Sequence, residues 1–164
     1  MELQLAVERD IASIIEIIKQ RCEWFEQNKI EQWGDWYYTE LYNTEYFIKA
    51  MKKYHLYVIK QEKEIIGVFL LKDEDQDYWN DNEKAYYIHH LVTKIGYPGL
   101  GIKILDFIEK LAKQNKIKYL RLDCIRTNQK LNQYYLDYGF EEKGQGEEGG
   151  VYFYRLWEKT ILLS

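Results

Sequence analysis

The sequence predicts an α+β (α/β-type) fold: a mixed sheet with helices, in one domain, in the order β-α-α-β-β-β-α-β-α-β-β. Three observations predict it. Stretches whose apolar residues recur every three or four positions alternate with short β-branched and aromatic runs. The 164 residues suit one domain with a real core, and no repeat, long linker or low-complexity block divides them. The most distinctive stretch, YYIHHLVTKIGYPGLGIK at 86–103, reads as a strand running into a glycine-bearing loop at the start of a helix.

The elements follow in chain order. Residues 2–6 form a short strand. Residues 9–27 form an amphipathic helix with Ile11, Ile14, Ile15, Ile18, Cys22 and Phe25 at helical spacing and Asp10 as N-cap. Residues 28–42 lack a clean period and carry Trp33, Gly34, Trp36, Tyr37 and Tyr38, which predicts an aromatic loop. A second helix covers 44–53, capped by Asn43 or Thr44. Strands at 55–60 and 64–72 form a hairpin around a polar turn, and 73–84 is a polar loop. The strand at 85–93 leads through the glycine loop into a helix at 100–114, its buried stripe Ile102, Leu105, Ile108, Leu111 and Ala112. A strand at 117–124 and a helix at 128–138 follow, the latter closed by Gly139. Phe140–Lys143 and Val151–Trp157 form a closing hairpin around a Gly-rich, acidic loop at 144–150.

Composition narrows the function. Hydrophobic residues make up 46% and charged residues 30%, ordinary for a globular protein. No 18-residue apolar run suggests a membrane span, and MELQLAVERD does not read as a signal peptide. Cys22 and Cys124 are too far apart for a CxxC pair, so the expectation is a cytoplasmic chain with two reduced thiols. The net charge of −4 argues against a nucleic-acid partner. Lys94, Lys103, Lys110, Lys113, Lys116, Lys118 and Arg121 gather around the glycine loop and the next helix, and most read as a solvated face. His89 and His90 are the one suggestion of a metal cluster, but adjacent strand residues point to opposite faces, so no metal is expected. The 16 Tyr and 5 Trp beside a single Pro predict aromatic core and cleft walls.

The glycine loop points to a ligand type. The first N–H groups of a helix have no internal partner, and the helix dipole there favours negative charge. Gly96, Gly99 and Gly101 let a ligand come close to the backbone. No Gly-Lys-Ser/Thr ends the loop, so it is not a P-loop, and the loop itself carries no Gly-x-Gly-x-x-Gly. The second motif is LRLDCIRTNQKLNQYYLDYGF at 120–140: a strand, Asn128, a short helix with Tyr134 and Tyr135, then Gly139-Phe140.

Together the two motifs resemble the GNAT superfamily of acyl-CoA-dependent N-acyltransferases. That family's loop reads Gln/Arg-x-x-Gly-x-Gly/Ala, and its later pattern is strand, Asn, helix with Tyr, Gly-Phe. The resemblance extends more weakly over nearly the whole chain. It implies a mostly antiparallel GNAT-like sheet flanked by about four helices, with strands 85–93 and 117–124 splayed to form a CoA cleft. It implies that main-chain groups of Leu91, Val92 and Thr93 pair with the pantetheine arm. Backbone amides of Gly99, Leu100, Gly101, Ile102 and Lys103 would hold the pyrophosphate, and Asn128 would contact the cofactor. Tyr135, four residues before Gly139, matches the family's general acid, and its phenol is protonated at neutral pH. The competing reading makes Tyr134 and Tyr135 packed aromatics.

His89 is the candidate base, sharing a strand face with Tyr87 and Leu91; some family members carry a His on this strand. A half-buried structural His is the competing reading, and Glu23 or Glu40 are alternative bases. Pro98 stands where the family has Gln or Arg, and Lys103 where it has Gly or Ala. Trp33, Trp36 and Tyr37 lie where the family's acceptor site forms; ring faces beside Glu31, Asp35 and Glu40 suit a cationic amine. A hydrophobic lid is the other reading of that segment.

The expected activity is transfer of an acetyl group from acetyl-CoA to a primary amine of a small molecule or protein, by direct attack in a ternary complex, without metal. Family analogy adds a homodimer through the closing strands. A non-catalytic acyl-CoA sensor on the same fold is the alternative, drawing on Pro98 and Lys103. An aromatic-rich ligand-binding domain with no CoA site is a further one.

Overall fold

The structure, a computed structural model, describes residues 1–33 and 35–162, and of residues 35–37 the backbone alone. The strands are β1 (Glu2–Leu5), β2 (His55–Gln61), β3 (Glu64–Lys72), β4 (Ala85–Thr93), β5 (Tyr119–Ile125), β6 (Glu141–Glu148) and β7 (Tyr152–Thr160). The helices are α1 (Ile11–Gln27), α2 (Asp35–Leu41), α3 (Thr44–Lys53), α4 (Leu100–Gln114) and α5 (Gln129–Tyr138). The strands form one sheet in the order β1-β2-β3-β4-β5-β7-β6. Pairings β1–β2, β2–β3, β5–β7 and β6–β7 are antiparallel, whereas β4–β5 is parallel. The chain divides into two compact units, Met1–Leu71 with His89–Gly101, and Lys72–Ile88 with Ile102–Ser164.

In the first unit the apolar stripe of α1 (Ile11, Ile14, Ile17, Ile18, Cys22) meets Phe47 and Ala50 of α3 and the inner residues of β2, β3 and β4. Burying this stripe supplies the helix stability that propensity alone does not give. β3 is buried on both faces from Ile65 to Leu71, which its unbroken apolar run anticipates. The hairpin turn lacks glycine and sets Glu62 at φ +58, in the left-handed region. Asn43, not Thr44, caps α3: its side-chain oxygen accepts the Tyr46 N–H at 3.1 Å. Asp10 makes no cap bond to α1. A short 3-10 turn at Glu8–Asp10 precedes that helix, and the Asp10 carboxylate reaches back to the Val7 N–H at 2.9 Å.

In the second unit β5 is central, and Arg121 upon it is almost wholly buried. Its guanidinium donates to Asp81 (2.7 and 2.8 Å), Glu158 (2.8 Å) and the Tyr87 hydroxyl (3.0 Å), and lies 4.3 Å from the Trp79 ring centroid. Two carboxylates and an aromatic face make the buried charge tolerable. They also pin the 73–84 connection, which the sequence shows only as polar loop.

Three elements differ from the sequence reading. The aromatic segment contains a helix, α2, where sparse periodicity predicts loop. The Gly-rich segment 144–150 is mostly strand: β6 runs to Glu148, and Gly149 and Gly150, at φ +61 and +69, form the turn with Val151. Two adjacent positive φ values suit a tight hairpin whose twist matches its strands. Gly146 stays in β6 because the Tyr154 phenol of β7 crosses it; an added Cβ would lie 2.6 Å from the ring carbon bearing the hydroxyl. On α4, Ile102 is 38% exposed and Ile104 takes its place in the buried stripe.

Candidate active site

The first unit carries the end of β4, the glycine loop and the start of α4. Gly96 and Gly99 take φ +95 and +80, and nothing lies within 4 Å of a Cβ built on either. These positions need glycine for its backbone, and they leave open space beside the loop. α4 begins at Leu100, whose N–H makes only a long bond, 3.3 Å, to the Tyr97 carbonyl. The amides of Gly101, Ile102 and Lys103 follow as first-turn donors. Pro98 precedes the helix, so its missing N–H is not one of them. The Lys103 side chain is exposed. This donor set suits a pyrophosphate.

β4 is irregular near its C-terminal end. His90 has φ +52, so strict alternation of faces fails there. His89 and Leu91 are half-buried, and Val92 is in the core. The Thr93 carbonyl accepts from Arg21 of α1 (Nη2 at 2.6 Å, Nε at 3.2 Å), and the Thr93 hydroxyl also meets Nη2. One main-chain group expected to serve the cofactor arm is therefore already held by an arginine that sequence reasoning passed over. Burial lowers the guanidinium's pKa from its ordinary value.

The second unit carries the other half of the expected chemistry. β5 registers with β4 only over Ala85–Tyr87, and further along, from Leu122 to Ile125, its registered partner among the described residues is β7 alone. Asn128 follows, half-buried, its side-chain oxygen accepting the Leu131 N–H at 3.1 Å. This caps α5, a use that accounts for the residue without a ligand. Gly139 closes α5 at φ +114, as its position predicts.

Tyr135 is buried, its ring edge-on to Tyr134 (5.5 Å) and Phe140 (5.6 Å). Burial, with smaller contributions from Cys124, Tyr134 and Asp123, pushes its phenol well above the ordinary range. The group is held protonated. Burial likewise pushes the Cys124 thiol up to about 12. Tyr134 is also shifted upward, by burial and then by Asp106.

Asn132, one turn after Asn128, is the residue that the sequence does not single out. It is 3% exposed. Its amide donates to the carbonyls of Ile125 (3.0 Å), Arg126 (3.3 Å) and Asn128 (2.8 Å). Its oxygen accepts from Trp157 Nε1 (2.9 Å) and Cys124 Sγ (3.1 Å). It ties the end of β5, the start of α5 and β7 together. A buried polar residue on the inner face of a short helix is the signal that could have found it.

Of the aromatics assigned to an acceptor, Trp33 is stacked on Tyr38 (4.9 Å, 16°) and edge-on to Phe25 (5.6 Å), packed against the first unit's core. The Trp36 and Tyr37 side chains lie outside the described residues.

A sequence profile described as the acetyltransferase (GNAT) family matches residues 18–140, from α1 through the Phe140 that follows Gly139. The chain belongs to the GNAT acetyltransferase family. It is an acyl-CoA-dependent N-acyltransferase. A Bacillus subtilis (strain 168) relative called uncharacterized N-acetyltransferase YesJ is 26% identical over 95% of this chain and 88% of its own length. A GNAT-family acetyltransferase from Listeria monocytogenes 4b F2365 shares the fold at TM-score 0.78, with 22% identity, covering 98% of this chain and 94% of that one. The paia N-acetyltransferase of Thermoplasma acidophilum, solved in complex with coenzyme A, aligns at TM-score 0.74 with 19% identity over 97% of this chain and 98% of that one. The GNAT-like, mostly antiparallel sheet expected from the two motifs is thus the fold observed. Among the described residues no helix is long and apolar enough to cross a membrane.

Proposed function

We propose that this GNAT protein transfers an acetyl group from acetyl-CoA to a primary amine of a small molecule or protein, by direct attack within a ternary complex. The observation that carries the reading is the β5–α5 segment: Asn128 at the helix start, a buried, protonated Tyr135, and a left-handed Gly139, in the register of the family's motif. In this reading the main chain of Leu91–Thr93 meets the pantetheine arm, and the backbone amides from Gly99 through the first turn of α4 to Lys103 hold the pyrophosphate. Asn128 contacts the cofactor. Trp33, Trp36 and Tyr37 serve the acceptor.

The amine nitrogen attacks the thioester carbonyl, its proton passes to His89 or a water, and the C–S bond breaks. Tyr135 gives its proton to the leaving sulfur. A phenol shifted upward is a poor acid toward a thiolate in water. Desolvation disfavours any charged form, so a leaving thiolate shielded from water is a stronger base as well. The proton transfer stays closer to balance than the phenol alone suggests.

The test is calorimetric titration with acetyl-CoA, CoA and NAD, followed by a screen of amines for thiol release. Saturable binding of both CoA forms but not NAD, and thiol release with at least one amine, is the expected result. Binding of CoA without thiol release across polyamines, amino sugars, amino acids and peptide N-termini favours a sensor. Absence of CoA binding sinks the reading.

A further inference from the structure

His90 is the only strand residue among the described ones with a positive φ, +52. A left-handed L-residue costs about 1–2 kcal/mol and persists only where its surroundings hold it. Here both ring nitrogens are engaged. The Tyr38 hydroxyl of α2 meets Nδ1, and the Tyr46 hydroxyl of α3 meets Nε2 at 2.8 Å. With a neutral ring, one phenol donates to the bare nitrogen while the ring N–H donates to the other phenol. The ring is also boxed by Tyr42 (4.4 Å) and Phe47 (5.6 Å), both edge-on. A side chain bonded at both nitrogens and walled by aromatics has little freedom to follow a regular strand.

We infer that His90 is a positioning residue: Tyr38 and Tyr46 clamp its ring, and the clamp holds the left-handed turn of β4 that sets the attitude of His89 and of the Leu91 main chain. This rests on the acetyl-CoA reading above and goes beyond it. A left-handed residue interrupts the strand ladder and re-aims the peptides beside it. The two residues flanking His90 are the ones assigned to the base and to the cofactor arm. His90 itself touches neither substrate; it acts through the backbone.

The test compares His90→Gly with His90→Ala. Both delete the ring and leave the same gap between the tyrosines, but glycine adopts φ +52 without strain and alanine does not. Acetyl-CoA affinity is measured by calorimetry beside the melting temperature of each variant. Positioning through the backbone predicts that the glycine variant binds within about threefold of wild type and the alanine variant about tenfold more weakly, the ratio that ~1.4 kcal/mol of strain gives. Equal affinities, or tighter binding by the alanine variant, overturn the inference and leave His90 a packing residue. Tyr46→Phe, which keeps the ring and removes the hydroxyl, and His90→Asn, whose residue type tolerates the left-handed region, keep the question open to test if the first pair fails to fold. The phenylalanine variant is expected to bind acetyl-CoA a few-fold more weakly with an almost unchanged melting temperature. Unaltered affinity there refutes the clamp. Failure of wild type itself to bind acetyl-CoA refutes the cofactor reading, and this one with it, and is recognised by appearing before any substitution.

Discussion

Replacing Asn132 with leucine keeps the number of side-chain heavy atoms and removes the amide, and is expected to cost about 2–3 kcal/mol of folding stability. Loss of the side-chain oxygen orphans the Trp157 indole N–H, whose residue is 4% exposed; a buried donor without a partner costs about 1–3 kcal/mol. Loss of the side-chain NH2 removes two N–H donors shared among the carbonyls of Ile125, Arg126 and Asn128, each donor worth about 0.5–1.5 kcal/mol net. Burying leucine instead of an amide returns about 1–2 kcal/mol. Taking mid-range values, about 2 plus 2 minus 1.5 leaves roughly 2.5 kcal/mol. In a chain of this size each kcal/mol moves Tm by about 2–4 °C, so a fall of about 5–10 °C is expected. Urea unfolding followed by tryptophan fluorescence, with a thermal scan beside it, measures both. Adding Trp157→Phe removes the orphaned donor, so the double variant should lose about 1–2 kcal/mol less than the sum of the singles. A loss below about 1 kcal/mol, or strict additivity, would show that the network in the structure is not what holds β5, α5 and β7 together.

Three further outcomes are expected. Tyr135→Phe should retain acetyl-CoA affinity while lowering thiol release by about 10²-fold or more, the usual worth of a placed general acid; unchanged turnover means that the phenol is packing only. Gly101→Asp puts a carboxylate in the first turn of α4, where it complements the helix dipole but repels phosphate, so melting temperature should hold or rise while acetyl-CoA affinity drops more than tenfold by calorimetry. In acid, burial pushes the Asp10 carboxyl up, but the Val7 N–H and the Lys60 ammonium at 2.9 Å outweigh it and hold it below its ordinary value. The stability this gives is complete above the unfolded value near ~4 and is lost as pH falls through the lower, folded value, so Asp10→Asn should flatten that part of a pH-stability curve and leave it unflattened only if the ion pair is idle.

Much of the architecture was legible in the sequence because it rests on local requirements. The period of α1, the two-sided apolar run of β3, the left-handed Gly139 and the Asn128–Tyr135–Gly139 register depend on residues within a few turns of one another. The glycine loop is local in the same sense, since Gly99 needs its φ of +80 wherever the rest of the chain lies. The closing hairpin was only half legible. Its glycines read as loop, whereas Gly146 serves the Tyr154 phenol, a need that exists only once β6 and β7 are paired in register.

By itself the sequence determined the element order apart from α2, the glycine loop before α4 and the family to which the chain belongs. Tertiary structure alone decided which polar side chains hold the site's backbone in place. Arg21 reaches the Thr93 carbonyl across 72 positions, and Tyr38 and Tyr46 reach His90 across 52 and 44. A hydrogen bond between groups so far apart leaves no periodicity and no turn signature in the chain. Its partners are known only when hydrophobic burial has brought their elements together, and that is also what sets the unusual backbone of His90 beside two of the residues on which the chemistry is expected to depend.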